Sequence, residues 1–207
     1  MTERDVLLGV AMVAFTLGRH ARRVSGAVAL PSALVGRVLK RPLGSSMMSN
    51  TPVIRLARAG DAAGIAATLR DLGFFAPLEE EPVAETQARV AEQLARCAAN
   101  GDHTVLVAEE ESGQISGYLA AHWFPNLLKG GDGYISELFL REAARGKGLG
   151  GRLLAAIEAE GKRRGCTRLL LFNRKERASY QRGFYQQHGW EERDDTALFN
   201  RWLTEDW

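Results

Sequence analysis

A short glycine-rich segment between a predicted strand and a predicted helix limits the possible folds of this chain more than any other feature. The segment runs from Arg145 to Arg152 and contains four glycines together with Lys147. Glycines let the backbone turn tightly and point successive N–H groups in one direction. The helix that follows adds free N–H donors and the positive end of its dipole. Such a loop is suited to binding a pyrophosphate.

Two well-known phosphate-binding motifs fit this segment poorly. A Walker loop requires GxxxxGK[ST], but Lys147 is followed by Gly148. Gly146, Gly148 and Gly151 satisfy GxGxxG, the dinucleotide fingerprint. That fingerprint expects an acidic residue about 20 positions later, at the end of the next strand. The next predicted strand ends in Leu-Phe-Asn at 171–173, and the remaining chain is too short for a six-stranded dinucleotide fold.

A third motif fits better. The pattern Arg145-x-x-Gly148-x-Gly150 matches the [QR]xxGx[GA] signature of the GNAT-type N-acetyltransferase superfamily. Residues 184–190, Phe-Tyr-Gln-Gln-His-Gly-Trp, resemble the FYxxxGF signature of that family, with Trp in place of Phe. Residues 137–140, Glu-Leu-Phe-Leu, resemble its fourth strand. Two signatures at the usual spacing are far more specific than one, and the resemblance covers about residues 52–204.

The resemblance implies transfer of an acetyl group from acetyl-CoA to an amine in a ternary complex, with no metal. The acceptor would be an amine-bearing small molecule or a peptide. A splay beside the fourth strand would admit the pantetheine arm, and Asn173 would bond the cofactor. The other residues implied in cofactor binding are the pyrophosphate-binding Arg145, Gly146, Lys147, Gly148, Leu149 and Gly150, and Leu138, Phe139 and Leu140, whose backbone would pair with the pantetheine arm.

The resemblance also implies two proton-transfer groups. Glu137 would take the proton of the acceptor amine, and Tyr185 would protonate the departing thiolate. The residues themselves leave alternatives open. Glu137 could be a strand carboxylate that points to water, Tyr185 a core aromatic residue, and Asn173 a cap of the next turn.

Hydrophobic spacing predicts the element order β-α-α-β-β-β-α-β-α-β-β. This order predicts an α/β fold (α+β) of the GNAT type, with a mixed, mostly antiparallel sheet of about six to seven strands and helices on both faces. Four boundaries bear on the structure below: a glycine-rich loop over 126–133, a strand over 168–172 that is covered on both faces, a last helix over 178–188, and a final hairpin over 190–202.

Composition excludes several other classes of protein. The net charge of +2 argues against a nucleic-acid binder. Two cysteines cannot form a disulfide scaffold, and four histidines show no paired metal-ligand spacing. No apolar run reaches 18 residues, so the sequence predicts no membrane span and we expect a cytoplasmic protein. Members of the family are often homodimers, but no exposed apolar seam in the sequence supports one.

The first fifty residues differ from the rest in charge. They carry a net charge of +5, whereas residues 51–207 carry −3. An apolar run over 6–17 precedes Arg19, Arg22 and Arg23. We interpret residues 1–50 as a non-essential extension or a mis-assigned start, with a surface anchor or an organelle-targeting leader as alternatives. Residues 52–204 would form the acetyltransferase domain. The rival functions are a non-catalytic CoA-binding module, a longer-chain acyltransferase and a membrane-surface protein.

Overall fold

The computed structural model describes residues 51–73, 75, 78, 80–201 and 203. The predictions about the basic and apolar extension at 1–50 fall outside the described residues. The same is true of the end of the predicted domain, at residue 204.

A five-stranded sheet forms the centre of the described region, with strands in the order β1-β2-β3-β4-β5. Neighbours are antiparallel except for β4 and β5, which are parallel and joined by a crossover helix. The strands are β1 Val53–Leu56, β2 His103–Glu109, β3 Ile115–Asn126, β4 Gly130–Leu140 and β5 Cys166–Leu171. The helices are α1 Ala62–Arg70, α2 Val83–Asn100, α3 Leu149–Arg163, α4 Ala178–Gln181 and α5 Phe184–Gln187.

Helices cover both faces of this sheet, as predicted. One buried cluster joins α1 and α2 to the strands through residues such as Ile65, Val90 and Tyr118. The other joins α3 to the opposite face through residues such as Leu153 and Leu119. These apolar side chains alternate along the strands and recur every three to four positions on the helices. Their burial therefore determines which helices pack on each face of the sheet.

The prediction was wrong at the C-terminal end of the chain. Instead of one helix over 178–188, α4 and α5 are separate four-residue helices, because Gly183 adopts φ 64° between them. Residues 190–201 form no strand, so the predicted hairpin is absent from the described residues and the sheet has five strands there rather than six or seven. Five successive charged residues at 191–195 leave no apolar alternation to bury.

Two further boundaries also differ from the prediction. The predicted glycine-rich loop over 126–133 is mostly strand, since β4 begins at Gly130. A Cβ atom on Gly133 would lie 2.5 Å from the Trp123 ring, so glycine permits close packing there rather than a loop. The predicted strand over 168–172 is β5, Cys166–Leu171, and it is only partly buried. Within the described sheet it is an edge strand that pairs with β4 alone.

Candidate active site

The sheet opens between β4 and β5. The two strands pair from Gly131 to Ile135, and the last pair joins Ile135 to Leu171. Beyond that point β4 continues to Leu140 with β3 as its only ladder partner in the described sheet. The opening coincides with a bulge, because Ala120 and Ala121 lie opposite Glu137 and Ile135 and leave Ser136 as an extra residue. A bulge bends its strand, so β4 leaves β5 here.

The backbone of β4 presents polar groups to this opening. The N–H of Arg141 donates a 2.9 Å hydrogen bond to the Ser116 carbonyl on β3. Successive residues of a strand point their N–H and C=O groups to opposite edges, so those of Leu138 and Leu140 face away from β3. The Leu140 carbonyl accepts a 3.3 Å bond from Arg145 Nε. Phe139 points its backbone groups to β3, which leaves Leu138 and Leu140 on the open edge.

The glycine-rich segment forms the end of the opening. Gly146 and Gly148 have φ values of 75° and 74°, where a Cβ atom would meet nothing within 4 Å. These glycines are therefore required by backbone conformation rather than by space. Gly148 precedes α3 without a side-chain cap, so the first N–H groups of that helix are not capped by a side chain. Gly150 is required by space instead, because a Cβ atom at this position would lie 2.9 Å from the Phe184 ring.

Glu137 lies on the face of the sheet that α1 and α2 cover. Its Oε2 atom accepts a 2.5 Å hydrogen bond from the hydroxyl of Tyr118, which is 2% exposed. Burial raises the pKa of Glu137, and the bond from Tyr118 offsets part of that rise. The charge of Glu137 adds to burial in raising the pKa values of Tyr134 and Cys97. Glu137 is thus a partly buried, hydrogen-bonded carboxyl group rather than a strand residue that points to water.

Tyr185 lies on the opposite face. It packs against the cluster formed with α3, and its ring contacts those of Phe184 and Trp190 at 5.0 and 6.2 Å. Burial raises the pKa of Tyr185 to about 12, although the nearby Arg177 and Arg182 act in the other direction. The phenol therefore stays protonated at neutral pH. The open edge of β4 separates the faces on which Glu137 and Tyr185 lie.

Two buried donors close to these elements have no protein partner among the residues that the structure describes. The first is Nδ2 of Asn173, two positions after β5. Its Oδ1 atom accepts a 3.2 Å bond from Ser179, which agrees with a role in the following turn. The second is Nη1 of Arg152, in the first turn of α3. Buried donors are almost always bonded, so a ligand with oxygen acceptors would fit here.

The sequence did not predict several of the residues around Glu137. His103 and His122 lie opposite each other on β2 and β3, with ring centroids 4.5 Å apart. His122 Nε2 lies 2.9 Å from the hydroxyl of Ser136, and burial together with His103 lowers the pKa of His122. Tyr118 also belongs to this surface. Its proximity to Glu137 depends on the register of β3 and β4, which no single stretch of sequence encodes.

Comparison with known families agrees with this geometry. The family model described as the acetyltransferase (GNAT) family matches residues 68–190, more than half of the chain. This chain belongs to the GNAT acetyltransferase family. Both signatures and the open edge of β4 lie inside the matched range. Membership supports acyl transfer in general, and it confirms the family that the sequence motifs indicated.

Solved structures of GNAT proteins share the fold. A glucosamine-6-phosphate N-acetyltransferase from Arabidopsis thaliana is 21% identical, with a TM-score of 0.60 over 74% of this chain and 99% of that one. A ribosomal-protein-alanine N-acetyltransferase from Brucella melitensis is 18% identical, with a TM-score of 0.56 over 72% and 99%. An aminoglycoside acetyltransferase from an uncultured soil sample is 18% identical, with a TM-score of 0.60 over 76% and 99%.

These three proteins differ in acceptor, and at such identities they establish the fold of this GNAT chain alone. No curated protein matches the chain. Within the part of the chain that the structure describes, no helix is long and apolar enough to cross a membrane. The same residues contain no cluster of three or more side chains suited to a metal ion.

Proposed function

We propose that this protein transfers an acetyl group from acetyl-CoA to an amine by direct attack in a ternary complex. One observation carries the proposal. The open edge of β4 runs directly into the glycine-rich turn that begins α3, and Glu137, a partly buried carboxyl group with a raised pKa, lies on the same stretch of strand. The order of a glycine-rich turn suited to an anion, an open strand edge and a buried carboxyl group along one stretch of chain supports the proposal.

Three groups would hold acetyl-CoA. The N–H groups of residues 146–150 would bind the pyrophosphate, with the positive end of the α3 dipole behind them and Arg145 and Lys147 beside them. The backbone of Leu138 and Leu140 would pair with the amides of the pantetheine arm in the manner of an added strand. The unbonded Nδ2 of Asn173 would donate to an oxygen of the same molecule.

Proton transfer would involve two residues of this chain. Glu137 would accept a proton from the ammonium form of the acceptor, which frees the nitrogen lone pair for attack. The N–H of Leu138 would donate to the thioester oxygen as negative charge develops there. The new N–C bond would replace the C–S bond, and Tyr185 would donate its hydroxyl proton to the departing sulfur. The second proton that the attacking nitrogen loses would return to the Tyr185 phenolate through solvent, and Glu137 would release its proton to solvent. A carboxyl group with a raised pKa suits the first role, because it accepts a proton more readily near neutral pH.

The alternatives of a CoA-binding module without activity and of a longer acyl chain make different predictions. A binding module would bind acetyl-CoA but release no CoA thiol when an amine is added, in the wild type as in a Glu137 variant. A longer-chain enzyme would prefer a longer acyl-CoA over acetyl-CoA in turnover. The hydrogen bond from the Tyr118 hydroxyl to Glu137 supports the enzyme over the binding module, because binding of acetyl-CoA through the glycine-rich loop does not require an oriented carboxyl group.

The test compares two glutamate variants in the full-length protein. Acetyl-CoA at 100 times its Kd should stabilise the wild type against thermal unfolding by about 2.7 kcal/mol, whereas NAD and ATP should not. Glu137→Gln should lower kcat for acetylation by about 10²- to 10⁴-fold while acetyl-CoA affinity is retained. The matched control is Glu92→Gln on the exposed surface of α2, which should keep wild-type kcat. Stabilisation by NAD instead of acetyl-CoA would refute the proposal.

A further inference from the structure

Aromatic rings surround Glu137 on its face of the sheet. Phe139 contacts Tyr118 and Phe75 edge to face, with centroid distances of 5.9 and 6.0 Å. On the other side, toward the opening between β4 and β5, the ring of Tyr134 lies 5.6 Å from that of Phe172. Phe172 follows β5 and is 36% exposed, so a bound molecule can reach it. Tyr118 and Tyr134 are buried, so the rings that a bound molecule could contact are those of Phe75 and Phe139, which are half-buried, and of Phe172.

The negative charge of this surface is concentrated on Glu137. Burial and the charge of Glu137 are the two influences that raise the pKa values of Tyr134 and Cys97. The acidic loop that precedes α2 includes Glu81, whose charge is already paired. Glu81 forms a 2.5 Å ion pair with Arg89 and accepts a 2.8 Å hydrogen bond from Thr86. Among the described residues, Glu137 is the one carboxylate whose charge acts on Tyr118, Tyr134 and Cys97, so it can pair with one ammonium group.

We infer that the acceptor is a monoamine carried on an aromatic or other apolar body, and this inference rests on the proposed acetyl transfer. Aromatic rings bind apolar groups by stacking and attract ammonium groups through their π faces. A polyamine would bring further ammonium groups, and an ammonium group without a paired charge is costly to desolvate; among the described residues, the carboxylate that acts on these rings is Glu137 alone. An amine that carries a phosphate would place an anion beside Glu137, where repulsion opposes binding.

Four amines on the full-length wild type test the acceptor class. Release of CoA thiol is measured at saturating acetyl-CoA with 2-phenylethylamine, butylamine, spermidine and glucosamine 6-phosphate. We expect kcat/KM for phenylethylamine to exceed the values for spermidine and glucosamine 6-phosphate at least tenfold, with butylamine between them. Equal or higher kcat/KM for spermidine or glucosamine 6-phosphate would overturn the acceptor class and leave acetyl transfer intact. Failure of acetyl-CoA to stabilise the fold would overturn the proposed function itself.

Variants of Phe172 test the surface directly. Phe172→Ala should raise KM for phenylethylamine about five- to tenfold, with little change in kcat or in KM for butylamine. Phe172→Tyr keeps the ring and should retain the wild-type KM. The matched control is Phe124→Ala at the distal end of β3, where the side chain is similarly exposed at 41%. If Phe172→Ala raised KM equally for both amines, or if Phe124→Ala raised KM for phenylethylamine as much as Phe172→Ala does, a specific aromatic contact at Phe172 would be contradicted.

Discussion

The hydroxyl of Tyr118 on β3 donates a 2.5 Å hydrogen bond to Oε2 of Glu137 on β4. The bond connects a fully buried phenol to a carboxyl group at the open edge of the sheet. It fixes the orientation of the carboxyl group, and it lowers a pKa that burial would otherwise raise further. Tyr118 is therefore a positioning residue for the proposed base, although it need not touch the substrate.

Tyr118→Phe should move the acidic limb of the pH–rate profile to higher pH. Glu137 must be ionised to accept a proton, so kcat/KM rises as pH increases through its pKa. The Tyr118 bond lowers that pKa, and its loss raises it, which shifts the limb upward. The amine titrates identically in both proteins, so the difference between their profiles isolates Glu137. Tyr180→Phe, which loses a hydroxyl bonded to Glu192, should leave the limb unchanged. A limb that stays in place in the Tyr118 variant would mean that Glu137 is not the titrating base.

Tyr185→Phe should lower kcat at least tenfold and leave acetyl-CoA affinity unchanged. The phenol has a pKa of about 12, so it stays protonated across the working pH range and can supply a proton to the leaving sulfur. The ring of the phenylalanine variant still packs against Phe184 and Trp190, so the fold should be retained. Stopped-flow and steady-state thiol release separate kcat from binding. Unchanged kcat would show that Tyr185 is a packing residue, which is the alternative that the sequence left open.

The glycine-rich loop and the strand before it could be predicted from sequence because local chemistry determines them. Gly146 and Gly148 adopt positive φ, which few other residues tolerate, and Leu149, Leu153 and Leu154 provide the apolar face of α3. The signature there is short and contiguous. One stretch of chain therefore contains both the turn and the start of the helix, and α3 begins at Leu149, inside the glycine-rich segment.

The surroundings of Glu137 could not be predicted in this way. The bulge at Ser136 changes the side of β4 on which every later residue lies, and a one-residue shift moves a side chain to the opposite face. Tyr118 and Phe172 reach the site from β3 and from the end of β5, through long-range pairing. The predicted final hairpin is absent from the described residues because the charged run at 191–195 offers no alternating apolar side chains to bury.

Gly148→Ala and Gly113→Ala form a matched pair that separates stability from ligand binding. Both glycines have positive φ, 74° and 83°, and a Cβ atom on either would meet nothing within 4 Å. Each substitution should therefore destabilise the fold by about 1–2 kcal/mol through backbone strain alone. Gly113 lies between β2 and β3, so its variant should bind acetyl-CoA normally. The Gly148 variant should lose at least tenfold in affinity by calorimetry, because the first N–H groups of α3 change direction. Equal affinities would exclude this loop as the pyrophosphate site.

Asp132→Asn should weaken the junction that holds β5 against β4 below the opening. Asp132 is 1% exposed. It forms a 2.5 Å ion pair with Arg168 on β5 and accepts a 3.1 Å hydrogen bond from the side-chain amide of Asn126. Burial raises the pKa of Asp132, but these bonds outweigh burial and hold the pKa below its ordinary value of 3.8. Its contribution to stability is therefore present above that ordinary value and is lost as pH falls through the folded-state pKa.

Asp132→Asn should lower the free energy of unfolding by about 3 kcal/mol at pH 7, because the substitution removes the charge of Asp132 and breaks its buried pair with Arg168. Urea unfolding at pH 7 and pH 3 measures the free energy of unfolding of the variant and of the wild type. The difference between these free energies should be smaller at pH 3, as the wild-type carboxylate takes up its proton. Asp102→Asn at an exposed position before β2 should match the wild type at both pH values. A difference that stays the same at both pH values would assign the loss to packing rather than to charge. Because β5 also borders the opening, the Asp132 variant should show a higher KM for acetyl-CoA at temperatures where it remains folded.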